Sequence, residues 1–247
     1  MLKKSIELIN YEIKTDGFSV LDPSCHCFNG LDSIVERFRS SSPHKEFNNP
    51  YKVKVFKKAD LDDHKNLDIK HYHHHCHKIV SQLDTAQNQL DAIFQTLDTP
   101  DSKHIAQDPH FDRIPTLKFM LYANDLTTES GAFCLSIGSH IWTKENFTSS
   151  TSRPLHGANG FLEFSRNIPE PILSRLKPIE GEAGTLIIFD TDCIHHQGIV
   201  ATGEAHIIRS HYRASIIRSH YRASTIKKNI SKLHFIKKII KKYNSVK

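Results

Sequence analysis

The 247-residue chain has no long apolar run: nowhere do about 18 consecutive apolar positions, enough for a membrane-crossing helix, occur. The opening MLKKSIELINYEIK is broken by lysine, glutamate and asparagine too early to form the apolar centre of a secretory signal, so the expected compartment is the cytoplasm. Cysteine is sparse: Cys25, Cys27, Cys76, Cys134 and Cys193 are odd in number and show no paired framework, which fits reduced thiols and excludes a disulfide scaffold. Acid is absent from residues 225–247, which hold eight lysines; without those eight, the net charge of +6 becomes −2. The basic character is thus confined to a tail, and no nucleic-acid surface is expected on the body.

What is present suits one folded domain, residues 1–224, followed by the tail, residues 225–247. The 38% of hydrophobic residues can fill an ordinary core. In the tail Ile226, Ile230, Leu233, Ile236, Ile240 and Tyr243 recur at three- and four-residue steps, one face of a basic amphipathic helix. Two readings of that helix compete: it packs its stripe on the domain, or it lies on an anionic membrane or a partner. The sequence does not fix the oligomeric state.

Along the body, a first helix precedes DGFSVLD (16–22), a strand, and GLDSIVERF (30–38) reads as a helix. YKVKVF (51–56) alternates as a strand does, and apolar positions from Lys78 to Leu97 predict an amphipathic helix. After it come short β-rich segments, TLKFMLYA, AFCLSI, TLIIFD and AHIIRSHYR, parted by Gly, Asn, Asp and Ser. The expected class is mainly β, a sandwich or barrel with helices supplied by the N-terminal part. Lys118, Met120 and Tyr122 alternate along one strand, facing either a cavity or ordinary sheet packing. The nonapeptide IIRSHYRAS occurs twice in tandem, at 207–215 and 216–224; because nine is odd, a continuous strand would turn the second copy to the opposite face, so one copy is expected to do the structural work.

Two places invite a metal. HYHHHCHK (71–78) carries five histidines and a cysteine, but adjacent side chains of one run diverge, and a metal needs convergent ligands on a rigid frame. It is read as a surface or helix-leading segment, as are His140 of GSH (a loop after a strand) and SCHC at 24–27 (a polar turn). In PHFDR (109–113), by contrast, His110 and Asp112 stand two apart, which in an extended segment aims both to one side. With a third ligand from His195 or His196 they form the two-histidine, one-carboxylate face of non-haem Fe(II) oxygenases.

The runs HFDRIPTLKFMLYANDLTTESGAFCLSIGSH and GEAGTLIIFDTDCIHHQGIVATGEAHIIRSHYR resemble the phytanoyl-CoA dioxygenase family of Fe(II)- and 2-oxoglutarate-dependent oxygenases. The resemblance implies a double-stranded β-helix (jelly-roll, cupin-like) core with the iron in its mouth, and O2, Fe(II) and 2-oxoglutarate as cofactors. By position it assigns His110, Asp112 and His195 to the metal and catalysis, with His196 as the alternative distal ligand. It also implies an arginine for the far carboxylate of 2-oxoglutarate. Arg209 is the candidate, with Arg213 and the duplicated Arg218 as rivals, although many relatives have that arginine where this chain has His206. The carboxylate Asp112, where related halogenases have a small residue, favours hydroxylation of a small-molecule substrate, with 2-oxoglutarate converted to succinate and carbon dioxide. The competing reading is a non-catalytic, histidine-rich metal-binding or membrane-surface protein on the same scaffold. A zinc hydrolase would need a general base beside the metal, for which no motif appears.

Overall fold

The first helix, α1 (Ile6–Thr15), begins at Ser5, whose hydroxyl accepts the Leu8 N–H, and it ends at Gly17, whose φ of +87° turns the chain into the first strand. The computed structural model describes residues 4–26, 28, 30–36, 41, 43, 45–47, 52–102, 107–147 and 168–214. Within them lie α2 (Leu31–Glu36), α3 (Leu67–Val80) and α4 (Ser139–Asn146). The strands are β1 (Phe18–Leu21), β2 (Lys45–Phe47), β3 (Lys52–Phe56), β4 (Gln89–Asp98), β5 (Leu117–Tyr122), β6 (Cys134–Ser136), β7 (Leu176–Pro178), β8 (Leu186–Asp190), β9 (His195–His196) and β10 (Ala205–Arg213).

The strands form two antiparallel sheets, one of seven in the order β1-β8-β5-β10-β4-β3-β2 and one of three in the order β7-β6-β9. This is the double-stranded β-helix expected from the sequence. The large sheet is covered on both sides, which is why LKFMLY and LIIFD are buried at every position. On its outer face Phe119, Leu121, Ile188, Ile208 and Tyr212 pack with Ile9 of α1 and with Tyr72, Cys76 and Ile79 of α3. On its inner face Met120, Tyr122, Ile187, Phe189 and Ile207 meet Phe133 and Leu135 from the small-sheet side. The Tyr72 hydroxyl, fully buried, sits 2.9 Å from the Phe119 carbonyl and 3.1 Å from that of Ile208, tying α3 to two neighbouring strands.

The helix expected from Lys78 to Leu97 is not one. The helix lies earlier, α3, and its buried Ile69, Tyr72, Cys76, Ile79 and Val80 make a helical stripe that runs through the histidine cluster; residues 89–98 form strand β4. Ile93 belongs to the outer core and Ala92 and Phe94 to the inner, so a strand buried on both faces carries apolar residues at spacings that imitate a helix. The histidines of HYHHHCHK flank that stripe: His71, His74 and His77 are exposed, while His73 and His75 are half-buried. His75 bonds His26 (3.2 Å), which in turn donates to the Gly184 carbonyl (2.6 Å), so His26 of the SCHC run is a core residue rather than part of an open turn. His140 is not in a loop but in the first turn of α4, buried, with Nε2 against the Lys14 carbonyl. The first copy of IIRSHYRAS supplies β10; the second copy, with Arg218, and the tail at 225–247 lie outside the described residues.

Candidate metal centre

Backbone pairing puts the HFD triplet beside the TDCIH turn. The His110 N–H bonds the His195 carbonyl at 3.0 Å and the His195 N–H returns to the His110 carbonyl at 2.7 Å, so His110 extends the small sheet past β9. Two residues on, the Asp112 N–H bonds the Thr191 carbonyl at 3.0 Å, and the Thr191 hydroxyl accepts the Thr116 N–H. Both stretches are thus held by main-chain bonds, and the side chains of His110, Asp112 and His195 point to one spot. One donor atom from each lies within 4.8 Å of the others. Among the described residues no other group of three His, Cys, Asp or Glu side chains converges in this way.

The tautomers are set by what each ring faces. His110 Nδ1 is 2.7 Å from the Asp108 carbonyl and His195 Nδ1 is 2.7 Å from the Cys193 carbonyl. A carbonyl only accepts, so each Nδ1 carries the proton and each Nε2 keeps a lone pair. His195 Nε2 is buried with no hydrogen-bond partner, 3.7 Å from Asp112 Oδ1. That gap is too long for a hydrogen bond, but two donors about 2 Å from one cation span up to about 4 Å. The residues present therefore fit a metal.

Electrostatics agree. Burial pushes His110 well below the usual imidazole range, which keeps it neutral as a ligand must be. Burial alone would raise the Asp112 carboxyl, but Lys118, with His195 and His110, outweighs it and holds the group well below the usual carboxylate range. The Phe189 and Phe133 rings, 5.1 and 5.6 Å from that of His195, make the inner wall apolar.

The structure separates the other candidates. His196 stands outside the trio, its Nδ1 on the Gln197 carbonyl. On β10 the inward row is Ile207, Arg209, His211 and Arg213, and Arg209 lies opposite Met120 with its guanidinium 5.9 Å from the Phe94 ring. Arg213 is tied to Asp91 at 3.1 Å. His206 is of the other parity and contacts Gln95 at 3.2 Å, so it faces away from the trio. Of the three residues named on β5, Met120 and Tyr122 are committed to packing, the Tyr122 hydroxyl bonding the Ile179 carbonyl, whereas Lys118 reaches Asp112 Oδ2 at 2.8 Å. His211 was missed by sequence reasoning. It lies directly opposite Lys118, its ring 4.6 Å from Phe94, and burial pushes it well below its usual range; its parity with Arg209 was the available signal.

The family profile described as Phytanoyl-CoA dioxygenase (PhyH) matches residues 27–204. The chain belongs to the phytanoyl-CoA dioxygenase family. Its fold is shared by the epimerase SnoN, solved with Fe3+, alpha ketoglutarate and nogalamycin RO (14% identity, TM-score 0.60, covering 85% of this chain and 84% of SnoN). It is also shared by the alpha ketoglutarate dependent carbocyclase SnoK from nogalamycin biosynthesis (10%, TM-score 0.58, 86% and 87%). HygX from Streptomyces hygroscopicus, solved with nickel and 2-oxoglutarate bound, is similar too (13%, TM-score 0.51, 84% and 87%). No curated protein sequence matches the chain significantly. As a member of this family the protein is an enzyme of the iron- and 2-oxoglutarate-dependent oxygenase type, with Fe(II), 2-oxoglutarate and O2 as its cofactors and His110, Asp112 and His195 as the candidate metal site. Among the described residues no helix is long and apolar enough to cross a membrane.

Proposed function

We propose that the protein hydroxylates a small-molecule metabolite in the cytoplasm, consuming 2-oxoglutarate and dioxygen and releasing succinate and carbon dioxide. The observation that carries this is the buried, unpartnered Nε2 of His195 facing the Asp112 carboxylate and His110 across a gap of metal size. His110, Asp112 and His195 would hold the iron. Iron with a 2-oxo acid and dioxygen supplies the oxidising chemistry, which no side chain has.

The chain's own residues do the rest. The Asp108 and Cys193 carbonyls hold the two imidazoles in the tautomer that presents Nε2. Arg209, inward on β10 one pair deeper than Lys118, is the anchor for the far carboxylate of 2-oxoglutarate, where a forked guanidinium meets a carboxylate with two parallel bonds. Phe133, Phe189 and Met120 keep water from the inner wall. Asp112 favours hydroxylation over halogenation, since the carboxylate fills the position a halide would take. SnoN is an epimerase and SnoK a carbocyclase, so the outcome at the substrate carbon is what an experiment must decide.

Anaerobic titration with Fe(II) and then 2-oxoglutarate should develop the weak visible band of the chelate; its absence would refute the cofactor assignment. With substrates screened by 2-oxoglutarate consumption, 18O2 should label the product alcohol, and an unlabelled rearranged product would refute hydroxylation. The non-catalytic, histidine-rich reading loses ground because His73 and His75 are engaged with Tyr212 and His26.

A further inference from the structure

Lys118 makes a contact with Asp112 that no cofactor role explains. It lies in the middle of β5, paired with Phe189 of β8 on one side and His211 of β10 on the other, and only 8% of it is exposed. Its Nζ is 2.8 Å from Asp112 Oδ2 and 5.8 Å from the centre of the Phe189 ring. The two oxygens of Asp112 therefore have different surroundings: Oδ2 is taken by the ammonium and Oδ1 faces His195 Nε2 at 3.7 Å.

The difference bears on how many positions the metal has left. A carboxylate binds a cation through one oxygen or through both. Around a six-coordinate iron, three protein donors, two atoms of a chelating 2-oxo acid and dioxygen use every position, so a two-oxygen aspartate would take one of them. We propose that Lys118 is a positioning residue which, by holding Oδ2, lets Asp112 offer the metal a single oxygen and so keeps a position open for 2-oxoglutarate. This rests on the iron and 2-oxoglutarate reading. Lys118 touches neither substrate nor cofactor in this role; it acts through Asp112.

The test uses the full-length protein loaded with Co(II), whose visible bands report coordination number, in the parent and in Lys118→Met, Lys118→Gln and Lys118→Arg. Lys118→Met keeps the apolar stem and loses the ammonium. It is expected to bind Co(II) within a few-fold of the parent, to show altered Co(II) bands before any co-substrate is added, and to bind 2-oxoglutarate about tenfold or more weakly, the loss of roughly one good contact. Lys118→Arg, which can still donate to Oδ2 and keeps the charge, should restore the parent's bands and affinity, whereas the shorter, uncharged side chain of Lys118→Gln should share the defect of Lys118→Met in part. Should Lys118→Met not fold by circular dichroism, the comparison of Gln with Arg and parent carries the test. Bands and 2-oxoglutarate affinity equal to the parent in Met or in Gln would overturn the inference. So would a folded Lys118→Met that no longer holds Co(II), because the lysine would then place the aspartate as a whole. If the parent itself fails to respond to 2-oxoglutarate, the proposed function is what falls; if the parent responds and the variants match it, only the role of Lys118 falls.

Discussion

Replacing Arg209 by alanine tests the orientation of the co-substrate, and the structure sets the size of the effect. The residue sits on the inward face of β10, opposite Met120 and across from Phe94, half-buried, one pair of residues deeper than the Lys118 level at which Asp112 is held. A hydrogen bond to a charged group contributes about 1.5 to 3 kcal/mol, and a fork makes two. Half-burial and the residual cation field of Lys118 discount the sum to about 2 to 3 kcal/mol, or about 30- to 150-fold in affinity at about 1.4 kcal/mol per factor of ten. The assay is the apparent KM for 2-oxoglutarate, read from succinate formation, with thermal unfolding as a control on the fold. Arg213→Ala should change this KM little, because Arg213 is already engaged by Asp91. Deleting residues 216–224 should also leave it near the parent's. A KM for Arg209→Ala within threefold of the parent would refute the placement, and a large rise for Arg213→Ala instead would move the anchor one step along the same face.

Three further outcomes are expected. Alanine at His110, Asp112 or His195 should each abolish stoichiometric iron binding and 2-oxoglutarate turnover, whereas His196→Ala should keep both, with metal content by mass spectrometry as the readout; activity surviving in His195→Ala but lost in His196→Ala would reverse the distal assignment. Changing His73, His74, His75 and His77 together to Gln should leave turnover within a few-fold, yet lower the melting temperature. Loss of the His73–Tyr212 and His75–His26 bonds, at about 1 kcal/mol each, corresponds to about 4 to 8 °C, and lost turnover in a folded variant would return the cluster to catalysis. Burial lowers His73, His75 and His206 to about 4 in the folded protein, so below the ordinary 6.5 the unfolded chain takes up protons that the fold refuses. Their contribution to stability is intact above pH 6.5 and drains as pH falls toward 4, by up to about 1.4 kcal/mol per pH unit for the well-buried His206 and by less for His73 and His75, which solvent partly screens. Urea midpoints equal at pH 7.5 and pH 5 would contradict this.

The candidate metal site was legible because the spacing of its residues is itself geometry. His110 and Asp112 lie two apart in extended chain, and the distal histidine follows a strand that is buried at every position. The strands of the barrel were legible for a related reason, being short and bounded by Gly, Asn and Asp. What misled was burial on both faces. In β4 the apolar residues needed by the two sides add up to Leu90, Ile93, Phe94 and Leu97, a helical spacing, while the real helix α3 was masked by histidines. Those histidines have a polar look but mixed fates. Two of them lie half-buried and bonded, which only the partners His26 and Tyr212, 49 and 139 residues away in sequence, reveal. The same limit hid Lys118 and His211: alternation says that a strand residue points inward, but not that it meets a carboxylate.

The tandem repeat shows how far parity alone can reach. Inward positions of β10 are odd-numbered, Ile207, Arg209, His211 and Arg213, while Ile208, Ser210 and Tyr212 meet α3 and the outer core. A shift of nine reverses that order, so a strand continued in register through the second copy would present Arg218 with the parity of Ile208, away from the metal ligands. Identical sequence therefore does not mean equivalent function. Only the copy that pairs with β5 and β4 can bring an arginine, a histidine and a second arginine to the inner wall, and that copy is the first. The register is fixed from outside the repeat: Arg209 pairs with Met120, and Met120 pairs with Ile187 of the strand that leads to His195. The distance from His195 to Arg209 is thus set by the ladder, not by the count of residues between them.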